Sequence, residues 1–196
     1  TIGTAVPRDG KLLVLANGHY GDRIARIAER LSIPLLVHDT GEVDPPDQTR
    51  LEDTLADDPA ITHVAVVHCE TTTGMLNPVE AIGRAVKDSG RVFIVDAMSS
   101  FGSMPMDMAA LGADYLVSSA NKCIQGVPGF GFIVARQEEL ERCSDNARSL
   151  SLDMFDQWKE MEDKSGKWRY TSPTHVVRAF ARALEELDEE GGVHAR

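Results

Sequence analysis

Four short segments of this 196-residue chain concentrate side chains that could do chemistry. They are Asn17-Gly18-His19-Tyr20-Gly21, Glu70-Thr71-Thr72-Thr73-Gly74, Asp96-Ala97-Met98-Ser99-Ser100 and Ser118-Ser119-Ala120-Asn121-Lys122. Each follows directly on an apolar run, and together they offer a carboxylate, an amine, several hydroxyls and an aromatic ring. Asp96 closes its run with no cationic neighbour in sequence, and a carboxylate there is costly to bury unless something positive faces it. Alone, it reads as a turn or helix-capping aspartate. Lys122 alone reads as a solvated surface lysine, although Gly126-Val127-Pro128-Gly129-Phe130-Gly131 just beyond it forms a rigid turn able to hold its backbone still. The pair is more informative than either residue. A strand-end aspartate and a loop lysine one strand-helix-strand step later suit pyridoxal phosphate. The lysine amine makes the Schiff base, and the aspartate keeps a proton on the pyridine nitrogen so that the ring acts as an electron sink.

The elements that must position these residues alternate along the chain. Residues 11–16, 35–38, 63–68, 92–95, 115–117 and 131–134 are short apolar runs that predict strands. Between them, Ile24, Ile27, Ala28 and Leu31 fall at i, i+3, i+4 and i+7, predicting an amphipathic helix over 22–31. A short helix is predicted over 48–55. Another opens at Asn77-Pro78 and runs to residue 86 with proline in its first turn. A long helix over 175–190 carries Val176, Val177, Phe180, Ala183, Leu184 and Leu187 on one side. It ends in an acidic, solvated run before Gly191-Gly192. Residues 145–167 are polar and weakly patterned, and read as loop. Near-continuous apolar strands separated by helices predict an α/β fold, a mostly parallel sheet with helices on both faces. In such sheets ligands bind beyond the carboxyl ends of the strands, which is where the four segments would converge.

Composition narrows the partners. With 20 Lys+Arg against 31 Asp+Glu the net charge is -11 and the sequence pI is near 4.9, a poor match to a phosphate backbone, so no nucleic-acid partner is expected. No apolar stretch approaches the roughly 20 residues that span a bilayer, so no membrane partner is expected. The start, Thr1-Ile2-Gly3-Thr4, lacks both an initiating Met and a signal-peptide pattern. Cys69, Cys123 and Cys143 are odd in number and form no CxxC pair, which argues for a reducing cytoplasm. The six histidines include no HxxxH pair, and no metal site is expected. Asn17-Gly18-His19-Tyr20-Gly21 is neither GxGxxG nor a phosphate loop of the Walker type.

The segments His68-Cys69-Glu70-Thr71-Thr72-Thr73-Gly74, Val95-Asp96-Ala97-Met98-Ser99-Ser100-Phe101-Gly102 and Ser118-Ser119-Ala120-Asn121-Lys122-Cys123 resemble the class V aminotransferases. So does the glycine-rich turn at 126–132. Within that family the chain is most similar to members that pass the amino group of 2-aminoethylphosphonate to pyruvate. Relatives using alanine or serine with glyoxylate are the alternative. A cysteine desulfurase would carry His where Asn121 stands. The resemblance implies a pyridoxal-phosphate transferase fold of type I, with Lys122 as the Schiff-base lysine and Asp96 as the pyridinium partner. It also implies Tyr20 as the ring stacked on the cofactor, and Thr72, with Thr71 the neighbouring alternative, as the hydroxyl near the phenolic oxygen or the aspartate. Ser119 and Asn121 fall on the phosphate side. Tyr170 and Thr171 fall where a homodimer shares its site, reaching the phosphate of the neighbouring subunit's cofactor. The family's phosphate loop before the stacking aromatic has no match here, nor has its small C-terminal domain with a carboxylate-binding arginine. The chain is therefore expected to be a central fragment. Residues 1–174 would form the large cofactor-binding domain without its N-terminal part, and 175–196 a helix leading towards the absent small domain.

Overall fold

The computed structural model describes residues 1–195. In chain order the elements are α1 (Ile2–Ala5), β1 (Lys11–Ala16), α2 (His19–Arg30), β2 (Leu35–Asp39), α3 (Gln48–Asp57) and β3 (Ile61–Val67). A ribbon of β4 (Cys69–Glu70) and β5 (Met75–Leu76) comes next, then α4 (Val79–Asp88), β6 (Val92–Asp96), α5 (Met108–Leu111), β7 (Tyr115–Ser119) and β8 (Gly131–Ala135). The chain continues through α6 (Gln137–Glu141), α7 (Met154–Asp163) and α8 (Thr174–Glu189). Six strands form one sheet in the order β2-β1-β3-β6-β7-β8. The first five are parallel; β8 runs antiparallel to β7. The expected α/β class and the mostly parallel sheet are both present.

The central strands are mostly apolar because both of their faces are covered, whereas β8 at the edge leaves Ile133 and Val134 exposed. Leu13, Leu15, Val64, Val66, Phe93, Val95 and Leu116 point to one side, onto Leu51, Leu55, Ile82, Val86 and Leu111 of α3, α4 and α5. Leu12, Val14, Ala65, Ile94 and Tyr115 point to the other, onto Ala25 and Ala28 of α2 with Met154 and Phe155 of α7 alongside. Alternate residues of each strand thus feed two cores, as strand pleating requires. Asp114 enters this apolar interior fully buried. It accepts from Lys87 Nζ at 2.9 and 3.0 Å and from the Phe93 N–H at 2.8 Å, so its charge is matched by a cation and a backbone donor.

Three sequence expectations need correction. Residues 145–167 are not all loop, because α7 occupies 154–163. Its N-cap Asp153 accepts from the Asp156 N–H, and Met154 and Phe155 pack against the core. The signal was present as Met154, Phe155, Trp158 and Met161, an apolar stripe interrupted by enough charge to look unpatterned. Pro78 is the N-cap of α4, just outside the first turn. The 63–68 run begins two residues earlier and ends at Val67.

Gly83 marks where α4 and α5 touch. A Cβ placed on it would lie 1.9 Å from the Leu111 carbonyl oxygen, a backbone atom that cannot swing aside. Alanine gains about 1 kcal/mol in helix propensity, but overpacking costs about 1–3 kcal/mol or more. Gly83→Ala is therefore expected to lower the urea midpoint of unfolding with an unchanged m-value; a midpoint equal to or above the parent's would contradict this packing.

Among the described residues, no helix is long and apolar enough to cross a membrane.

Candidate active site

The chain turns from β1 to β2 in one direction and returns through α3 to β3 on β1's other side. The sheet therefore has a topological switch point between β1 and β3, and a crevice opens there beyond the strand ends. The residues leaving β1 are Asn17-Gly18 and the first turn of α2. Those leaving β3 form the β4–β5 ribbon with its 71–74 turn. Next across the sheet are the ends of β6 at Asp96 and of β7 at Ser119, so all four sequence segments share the carboxyl edge.

Tyr20 is the second residue of α2. The guanidinium of Arg23, one helical turn on, lies 4.7 Å from the centre of its ring, within range of a cation–π contact. Thr72 is engaged within the protein: its hydroxyl donates to Glu70 Oε1 at 2.7 Å and accepts from the His19 N–H at 3.3 Å. The Thr71 hydroxyl is paired with Ser99 Oγ, which joins the β4–β5 turn to the segment after β6.

Asp96 is the last residue of β6, in register with Val67 on β3 and Val117 on β7. Among the described residues its carboxyl receives one hydrogen bond, from the Met98 N–H at 2.9 Å. Burial pushes this carboxyl above the usual aspartate range. The Met98 N–H pulls it back, the charge of Glu70 raises it further, and Arg23 and Lys122 lower it through space. Lys122 is exposed on the turn after β7, and among the described residues its ammonium makes no hydrogen bond or ion pair. Its backbone is fixed nonetheless: Lys122 O accepts from the Gln125 N–H at 2.8 Å and Ala120 O from the Gly126 N–H at 2.9 Å. Ile124 is buried among Phe101, Phe180, Ala183 and Leu187. Ser119 Oγ donates to Asn121 Oδ1 at 3.0 Å.

The sheet edge thus gathers Tyr20, Thr71, Thr72, Asp96, Ser119, Asn121 and Lys122. Among the described residues, no hydrogen bond joins Tyr170 or Thr171 to this cluster. They sit on the exposed loop before α8, where Tyr170 Oη donates to Leu150 O at 3.4 Å. Two residues of the cluster carried no role in the sequence reading. Glu70 looks like a solvated loop carboxylate until its complete burial is seen. Arg23 could be placed only by helix phase, as the i+3 neighbour of Tyr20.

These residues fit pyridoxal phosphate. Asp96 is a shielded carboxyl with accepting capacity left over and no cation within ion-pair distance among the described residues. Lys122 presents an uncommitted amine on a braced turn. Tyr20 stands on the same sheet edge, in a helix entered through Gly18, where a side chain would meet Glu70 and Thr72.

Residues 2–195 match the family described as aminotransferase class-V. The chain is 72% identical over 195 residues to a 2-aminoethylphosphonate–pyruvate transaminase of Syntrophobacter fumaroxidans, covering all of this chain and 53% of that protein. It is 64% identical over 196 residues to a protein of the same name from Vibrio parahaemolyticus, again covering 53% of it. The chain therefore spans about half the length of the curated relatives it matches. The crystal structure of pyridoxamine-pyruvate aminotransferase from Mesorhizobium loti superposes with a TM-score of 0.86 at 28% identity, over 96% of this chain and 49% of that one. An alanine–glyoxylate aminotransferase from Nostoc sp., at 22% identity and a TM-score of 0.86 over 99% of this chain and 52% of that one, shares the fold.

Proposed function

Because this chain belongs to the class V aminotransferase family, we propose that it forms the cofactor-binding part of a pyridoxal-phosphate transaminase. The amino donor is 2-aminoethylphosphonate and the acceptor pyruvate, giving phosphonoacetaldehyde and L-alanine. The observation that supports the reading is that Tyr20, Asp96 and Lys122 all lie at the carboxyl edge of one sheet, in a chain 72% identical to a transaminase of that name. When bound, pyridoxal phosphate supplies an electron sink for the charge left on the substrate carbon as its proton departs.

This chain's residues do the rest. Lys122 Nζ would hold the cofactor through its amine, and the same amine would move the proton lost by the substrate carbon, acting first as general base and then as general acid. Asp96 keeps a proton on the ring nitrogen with its carboxylate. Tyr20 gives a flat apolar face that fixes the plane of the ring. Thr72, with Thr71 the neighbouring alternative, is assigned to the cofactor's phenolic oxygen or to Asp96, and Ser119 and Asn121 to the phosphate side. Tyr170 and Thr171, exposed on their loop, are assigned to the cofactor phosphate of a second subunit in a homodimer. The scattered thiols favour a cytoplasmic setting.

Two half-reactions test the substrate. In the whole protein, 2-aminoethylphosphonate is expected to convert the absorbance of the bound aldehyde form to that of the amine form, and pyruvate to restore it, with ping-pong kinetics. Faster conversion by serine or alanine, with glyoxylate as acceptor, would assign the chain to the other branch of the family.

A further inference from the structure

We propose that Glu70 is a positioning residue of this site. Its buried carboxylate clasps both the α2 N-terminus that carries Tyr20 and the turn that carries Thr72, and so sets where the stacking ring and the hydroxyl stand. The inference rests on the cofactor reading above and deepens it.

Glu70 is 0% exposed, and among the described residues no Lys or Arg lies within ion-pair distance of it. A charge so placed costs several kcal/mol unless donors surround it. Donors do. The Tyr20 N–H lies 3.3 and 3.2 Å from its two oxygens, the Gly21 N–H 3.2 Å from Oε2, and the Thr72 hydroxyl 2.7 Å from Oε1. The Thr72 N–H adds a longer contact at 3.4 Å. The positive end of the twelve-residue α2 thus stands in for a cation.

The backbone is shaped around this carboxylate. A Cβ on Gly18 would come within 2.5 and 2.7 Å of Glu70 Cγ and Cδ and 2.9 Å of Thr72 Oγ1. No side chain fits between them, so the strand-to-helix turn rests directly on the clasp. Behind it, Asn17 and Asn77 exchange side-chain hydrogen bonds at 2.7 and 3.0 Å, and Asn77 Nδ2 donates to Val67 O at 2.8 Å. The same two chain segments are therefore pinned at the base by amides and at the tip by Glu70. With the base fixed independently, Glu70 governs the tip, which is where Tyr20 and Thr72 sit.

The test uses Glu70→Gln and Glu70→Asp in the whole protein. Glutamine keeps the shape but turns its NH2 towards Thr72 and offers a neutral oxygen to the helix; aspartate keeps the charge but falls one methylene short. Charge-assisted hydrogen bonds are about twice as strong as neutral ones. Both variants should therefore exchange the Tyr20 and Gly21 amide protons roughly fivefold faster or more in the cofactor-free protein. Both should also bind pyridoxal phosphate about tenfold more weakly, with the visible circular dichroism of the bound ring reduced. Amide exchange within twofold of the parent in both variants overturns the clasp. Faster exchange with unchanged cofactor affinity and dichroism overturns the positioning role. A parent protein that binds no pyridoxal phosphate overturns the proposed function instead, while amide exchange, which needs no cofactor, still decides the clasp.

Discussion

Lys122→Ala in the whole protein is expected to lower kcat by about ten-thousandfold or more, with the fold untouched. A positioned acid–base group contributes about 10²–10⁴, and the proposed function gives this lysine a second task, holding the cofactor. Both rest on one nitrogen, and no other lysine belongs to the sheet-edge cluster. Stability should barely move, because the side chain is exposed and uncommitted while the turn is held by other groups: the Gln125 and Gly126 amides and buried Ile124. Exposed substitutions of this kind usually change stability by less than about 0.5 kcal/mol. The result is therefore a separation, with urea midpoint retained and turnover lost. Borohydride should fix the cofactor to the parent chain and fail to fix it to the variant, read as added mass. A variant that keeps a tenth of the parent's turnover, or remains fixed by borohydride, would remove Lys122 from its assigned role.

The parts of this architecture that sequence exposes are those where one physical cause dominates. Leu12 to Ala16 and Val64 to Val67 are apolar at every position because both sheet faces are covered, and such runs are hard to read otherwise. The direction of β8 was also available. Only eleven residues separate Ser119 from Gly131, they carry no helical pattern, and a parallel return needs a crossover. The helix α7 was hidden because its exposed face carries Asp156, Lys159, Glu160 and Asp163, which diluted the stripe at 154, 155, 158 and 161. Asp96 and Lys122 could be paired from order alone, since Asp96 closes one strand and Lys122 lies on the turn after the next. Glu70 could not, because its burial comes from the packing of α2 against the β4–β5 turn, a contact fifty residues apart in sequence. The commitment of the Thr72 hydroxyl to that carboxylate is invisible for the same reason.

Asp96→Asn is the complementary experiment, in which charge is removed and shape retained. The amide oxygen can still accept from the Met98 N–H, so β6 and the 97–100 turn should keep their geometry. On the proposed function, the variant loses the negative charge that would hold a proton on the ring nitrogen, and kcat is expected to fall by about 10²–10⁴. Stability of the cofactor-free protein should move the other way. Burial raises the Asp96 carboxyl above its ordinary value of 3.8, so the folded state binds this proton more tightly than the unfolded chain does. Stability then falls as pH rises from 3.8 through the raised folded value, and above it the cost of the buried charge is fully present. Asparagine carries no such cost. At neutral pH the variant should be as stable as the parent or more so, and its advantage should shrink as pH falls into the carboxylate range. Urea midpoints of the two proteins across that range measure the difference directly. A variant less stable at neutral pH than the parent would mean that Asp96 has a structural cation partner, and its role as the partner of a bound ring nitrogen would have to be abandoned. Lost turnover joined to gained stability is the signature of a charge kept for a ligand that the fold alone does not need.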